Sequence, residues 1–226
     1  MTNQITLLEQ KIMSDIEERR ELMSRLRLLY VRYGFLQRDE ELFLYHSIPI
    51  IYSIWEGFIQ TAFKIYVQEL NKLELSIDDV CNPILIYHIE STFPQFKQYP
   101  DADKFNKKVN FFNKLGMFYK TNYLEIDPKT FNTESNVSFN VLNRILTDFN
   151  LDKILEYPEP GSGYSLVKEL DKFLLDKRNT IAHGQEGAIL VTREDLERAI
   201  KIVEELMDLV FERIKTGFIE KSYLKQ

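Results

Sequence analysis

An arginine and a histidine five positions apart, Arg178 and His183, carry the clearest chemical signal in the chain. Histidine has a reference pKa of about 6.5 and so gives or takes a proton near neutrality. The planar fork of arginine grips negatively charged oxygens through paired hydrogen bonds. The two together suit acid–base chemistry at a centre where negative charge builds up. Asn179, next to Arg178, is a third polar candidate on the same stretch. Glu56, set between Trp55 and Gly57 in an otherwise apolar run, is a fourth, because a buried carboxylate needs a charged or hydrogen-bonding partner. His46 and His88 have no acid or histidine at useful spacing and read as ordinary packed or surface residues.

A helix must hold the pair. Ser165 is placed to cap it after the loop-forming run Pro158-Glu159-Pro160-Gly161-Ser162-Gly163. Leu166, Leu170, Phe173, Leu174 and Ile181 face inward at helical spacing, and Gly184 follows as a natural terminator. Five residues turn about 140° around an ideal helix, so Arg178 and His183 are not stacked neighbours. A final turn that tightens or unwinds brings both toward one mouth.

The remaining elements also read as helices. Leu8, Ile12, Ile16, Met23, Leu26, Tyr30 and Tyr33 predict a first helix from about Thr6 to Gly34. A second, about Arg38 to Lys72, is apolar nearly all round and therefore central, with Pro49 expected to kink or divide it. Ser76-Ile77-Asp78-Asp79 has the form of an N-cap for a third helix ending near Thr92. A fourth is expected from Asp103 to Lys120, a short strand at Tyr123 to Ile126, and a helix from Ser138 to Phe149. Thr192-Arg193-Glu194-Asp195 caps the last helix, which runs to about Ile219. Its Leu196, Ile200, Val203, Met207, Val210 and Ile214 are spaced as a bundle seam. The fold class is all-α: one helical domain over 1–226, with a variable inserted stretch at 94–133.

Composition narrows the function. The 226 residues carry a net charge of −6, which argues against a generic polyanion binder but not against a local basic site. The single cysteine, Cys81, rules out an internal disulfide and a cysteine zinc site and suits a reducing cytoplasm. The start is acid-rich, unlike a signal peptide. The longest uncharged run, Leu42 to Trp55, contains Pro49 and falls short of the roughly 20 apolar residues of a membrane span. Zinc-ligand clusters, phosphate-binding glycine loops and serine-hydrolase elbows are absent, so neither a metal nor a cofactor is expected.

The string Leu175-Asp176-Lys177-Arg178-Asn179-Thr180-Ile181-Ala182-His183-Gly184 resembles the Arg-x4-6-His motif of the HEPN superfamily, most of all its MAE-type nucleases. Tyr52-Ser53-Ile54-Trp55-Glu56-Gly57-Phe58 and the helix within Asn136 to Asp152 are similar to the same group. The resemblance implies a helical bundle and metal-independent cleavage of RNA, with the 2′-hydroxyl as nucleophile and 2′,3′-cyclic phosphate and 5′-hydroxyl ends as products. It implies a homodimer whose motifs face each other, so that two histidines and two arginines share a cleft. Asn179 would orient His183 or contact the phosphate, and Glu56 would hold Arg178 or His183. A toxin or phage-defence role with an antitoxin or defence partner follows from the same likeness. One toxin subclass carries a tyrosine two residues after the histidine as a site of nucleotide transfer. Gln185 stands there instead, which speaks against that control. The alternative reading is a catalytically silent HEPN module for dimerisation or nucleic-acid binding.

The inserted stretch interleaves Lys97, Lys104, Lys107, Lys108, Lys114, Lys120 and Lys129 with Phe96, Phe105, Phe111, Phe112, Phe118 and Tyr119. Such a pattern either grips a single strand by charge and stacking or folds with its aromatics inside and its lysines outside.

Overall fold

The computed structural model describes residues 2–34, 36–96, 98–101, 103–118, 120, 123–128, 133, 136–159, 161, 163–184 and 190–225. Three long helices form the frame: α1 (Thr2–Arg32), α2 (Gln37–Asn71) and α7 (Arg193–Ile219), each packed on the other two. Between them in sequence come α3 (Asn82–Thr92), α4 (Phe105–Phe118), α5 (Phe139–Asp148) and α6 (Asp176–Ala182). The described residues contain no strand, and the architecture is all-α.

α2 is central because it is apolar nearly all round, with only a narrow exposed side that includes Ser53, Gln60 and Lys64. Ile48, Ile51, Trp55, Phe58, Ile59, Ala62, Phe63 and Tyr66 are wholly buried. By length and composition it could also cross a membrane, but half of its most apolar window is enclosed by the rest of the fold. α2 is not divided at Pro49. The proline lacks an N–H for the helix ladder, but the buried Ile48 and Ile51 on either side keep the helix docked.

Gly57 admits a cross-tie. A Cβ there would meet the Nη1 of Arg19 at 3.0 Å, and that Nη1 donates to the Ile54 carbonyl at 2.9 Å. Arg19 is also held by Asp15, so it links α1 to α2. Farther along, Lys11 and Lys72 donate to the buried Glu69 at 2.7 and 2.8 Å. Burial works against the Glu69 charge, but these two bonds outweigh it and keep the carboxyl below its ordinary range.

α7 starts at the predicted capping box: Thr192 accepts from the Asp195 N–H, and Asp195 accepts from the Thr192 N–H. Near its end, Gly217 lies hard against Leu151. A Cβ there would come within 2.2 Å of Leu151 Cδ2. Gly217→Ala is therefore expected to destabilise the protein by roughly 1–3 kcal/mol through overpacking. A urea titration that leaves the midpoint unchanged would contradict this.

Two local expectations fail. The third helix does not start at Ser76. Ser76 to Asp79 closes a turn, with the Asp79 N–H on the Ser76 carbonyl at 3.0 Å. The chain after it is held extended by the C-terminal segment: Cys81 donates to the Tyr223 carbonyl, and Val80 bridges Leu224. Helix begins only at Asn82, with Pro83 in its first turn, where a missing N–H costs nothing. Tyr123 to Ile126 is not a strand either. Tyr123 makes one antiparallel bridge to Ser76, and Leu124 donates to the Leu75 carbonyl.

Candidate active site

The motif helix has an unusual entry. A π-helical stretch, Lys168–Leu175, runs straight into α6, and the Asp176 N–H reaches the Asp171 carbonyl five residues back. Wide turns of this kind are rare and concentrate at functional sites. Ser165 caps the start by accepting from the Lys168 N–H, and its own hydroxyl donates to Glu156. The other end closes at Gly184, whose φ of +67° suits glycine. The Gly184 N–H bonds back three residues to Ile181, so the last turn does tighten.

Arg178 is held from three sides. Its guanidinium lies over the ring of Tyr52 at 4.8 Å. Nη1 donates to Asn136 Oδ1 at 3.1 Å and to Asn179 Oδ1 at 2.8 Å. Among the described residues these are its partners, and they leave the Nε–Nη2 edge open. That edge is the one that takes two oxygens of a single anion.

Both outer partners are themselves fixed. Tyr52 is buried, and its hydroxyl accepts from the Val137 N–H at 2.7 Å. Burial pushes the Tyr52 hydroxyl up to about 12, so it stays neutral. Trp55, one helical turn along α2, donates from Nε1 to the Val137 carbonyl at 3.1 Å. The two rings thus clamp both backbone groups of the residue after Asn136. Asp171, in the π-helical stretch, accepts from the Phe139 N–H at 2.8 Å, and Ser138 caps α5. Residues 136–139 are therefore pinned by α2 on one side and the motif helix on the other.

His183 is the C-terminal cap residue of α6 and is exposed. Its backbone N–H bonds to the Asn179 carbonyl at 3.0 Å. No hydrogen bond links its ring to Arg178 among the described residues, so within one chain the pair forms two adjacent groups rather than a contact. Asn179 spends its side chain on Arg178 and not on His183. Glu56 holds neither: it accepts from Thr133 Oγ1 at 2.9 Å, facing the chain that leads toward Asn136. His88 is buried beside the Phe118 ring, as an ordinary packed residue. Gln185 lies outside the described residues.

Two members of this constellation carried no local signal of a site role. Asn136 reads only as a polar residue ahead of a helix cap, and Tyr52 only as an aromatic on a core helix. Their shared target is remote in sequence, and only the packing of α2 against α6 and the bonds that pin residues 136–139 reveal it.

A family model described as RiboL-PSP-HEPN matches residues 14–216. The chain belongs to this HEPN family. The matched span takes in both the Tyr52 to Phe58 string and the Arg178 to Gly184 motif, and the helical bundle is the fold expected of a HEPN domain. The MAE-type likeness is finer than that match. No curated protein and no solved structure matches this HEPN chain. Membership in the family suggests a nuclease or RNA-related role.

Proposed function

We propose that this HEPN protein is a metal-independent endoribonuclease. The observation that carries the reading is the seating of Arg178: one guanidinium nitrogen is tied to two amide oxygens, the group lies over the Tyr52 ring, no hydrogen bond among the described residues takes its Nε–Nη2 edge, and the exposed His183 follows five residues on at the end of the same helix. In the reaction, a neutral imidazole takes the proton of an RNA 2′-hydroxyl. The 2′-oxygen bonds to phosphorus and the P–O5′ bond breaks. A second, protonated imidazole gives its proton to the leaving 5′-oxygen. Arg178 holds the non-bridging oxygens as their charge grows. The balance needs two histidines of this kind, and one chain supplies one.

A homodimer supplies the second across a two-fold axis. The exposed face of α2 offers the surface: Leu42, His46 and Ile50 follow at four-residue spacing, and Leu42 and Ile50 are 59% and 44% exposed. The stripe ends two residues before Tyr52 in sequence and faces away from the core side that Tyr52 occupies. Ile50→Glu is expected to leave the monomer folded, shift it from dimer to monomer in sedimentation, and cut RNA cleavage by more than about tenfold, since a charge in an apolar contact is left unpaired. A dimer unaffected by that charge would place the interface elsewhere.

The biological reading is a toxin or phage-defence nuclease of the cytoplasm, restrained by an antitoxin or defence partner protein, with RNA as substrate. The test is incubation of purified protein with RNA in EDTA, followed by mapping of the cut ends. Cyclic-phosphate and 5′-hydroxyl ends support the reading, and 3′-hydroxyl or no new ends overturn it. The second reading, a silent HEPN module for dimerisation or nucleic-acid binding, draws on the lack of a hydrogen bond between the His183 ring and Arg178 among the described residues.

A further inference from the structure

α4 is a helix that the core barely uses. Of its residues only Phe111 is buried, against Phe93, Phe96 and Tyr99. Leu115 and Phe118 share that inner face. The other faces stay open: Phe105 and Phe112 are 69% and 57% exposed, seven residues apart on one side. On another side, Lys107, Asn110, Lys114 and Met117 follow at helical spacing and line a cleft of about 670 Å³. Gln95, Gln98 and Tyr99 form its opposite wall.

The charge of this lobe runs against that of the chain. α4 carries three lysines and no acid, in a protein of net charge −6. Lys107 and Lys114 are exposed and form no ion pair among the described residues. Lys108 sits over one side of the Tyr99 ring at 5.4 Å. Lysines without an acid partner on one wall of the cleft and the half-exposed Tyr99 ring on the other give it the cationic and stacking groups that suit a polyanion carrying bases.

The geometry points to a single-stranded RNA contact in the cleft between α4 and residues 95–96 and 98–101, with Lys107 and Lys114 on phosphates and Tyr99 against a base. The amides of Gln95, Gln98, Asn110 and Asn113 offer donors and acceptors for base edges. The lobe connects to the candidate active site through α3, which packs on α5, the helix just after Asn136. A strand held here would bring RNA onto a chain whose net charge is −6 and disfavours bulk RNA binding. This inference rests on the ribonuclease reading for its choice of RNA over an acidic protein segment.

The test uses the full chain in a His183→Ala background, so that RNA is bound and not cut, with a short fluorescein-labelled single-stranded RNA read by anisotropy in EDTA. Lys107→Glu with Lys114→Glu is expected to weaken binding at least about tenfold and to flatten the log–log salt slope by about 1.4. Tyr99→Ser is expected to weaken it roughly fivefold or more. Lys107→Arg with Lys114→Arg should bind like the parent. With His183 restored, the lobe variants should cut long RNA poorly and a dinucleoside phosphate, too short to reach the lobe, normally. A parent that binds no RNA, or charge-reversal variants within about twofold of it, would overturn the inference and leave α4 as a protein-binding face. Binding that falls as expected in a protein that never cuts would leave the lobe standing and end only the nuclease reading.

Discussion

His183→Ala is expected to slow RNA cleavage by roughly 10³- to 10⁴-fold while the protein stays folded and dimeric. In a two-fold cleft the one substitution removes both the base and the acid, so the loss should sit at the upper end of the range for proton-transfer groups. Little structure rides on the side chain. His183 is exposed, and its helix end is closed by backbone bonds to Asn179 and Ile181 and by Gly184. Circular dichroism and sedimentation should match wild type, and single-turnover cleavage should collapse. A variant that cuts within about tenfold of wild type would mean the imidazole carries no proton in the slow step. Arg178→Lys should fail nearly as badly: an ammonium keeps the charge but loses the forked Nε–Nη2 edge and the guanidinium contact over the Tyr52 ring.

Trp55→Ala is expected to cost about 3–5 kcal/mol and lower Tm by about 10 °C. The side chain is wholly buried at the centre of α2 and lies near Phe58, ring centres 6.3 Å apart. Total stability of a domain this size is only about 5–15 kcal/mol, so the loss is a large share. Trp55→Phe separates two effects. It keeps most of the packing but orphans the buried Val137 carbonyl, at about 1–3 kcal/mol. Because Val137 adjoins Asn136, this milder variant should also loosen Arg178 and reduce cleavage more than its Tm change predicts. Equal melting of Trp55→Phe and wild type would show that water satisfies the carbonyl and that the clamp is weaker than drawn.

Most of the helical frame could be read from residue spacing. The seam from Leu196 to Ile214 and the box at Thr192 and Asp195 are local devices, and nothing distant overrides them. The equally good box at Ser76 misled because its helix is forestalled from afar: Tyr223 and Leu224 take the backbone of residues 80 and 81. The π-helical stretch had no signature, since neither propensity nor periodicity separates a five-residue repeat from the ordinary helix over so short a span. At the candidate site, residue types and spacing point to Arg178 and His183 as candidates but not to the side chains that support Arg178. Asn136 and Tyr52 join Arg178 only through tertiary packing, and Glu56, singled out for lying in an apolar run, serves Thr133 instead.

The way Arg178 is seated sets it apart electrically from other basic residues here. Arg19, Arg20, Lys177 and Arg198 each face a carboxylate at 2.6 to 2.9 Å. Arg178 instead rests on two carboxamide oxygens and a tyrosine whose hydroxyl burial pushes up to about 12, so that it is neutral at physiological pH. A neutral cradle neutralises nothing, so the whole positive unit remains available to an incoming phosphodiester. Its pull reaches over a Debye length, about 8 Å at physiological ionic strength, and shrinks as salt is added.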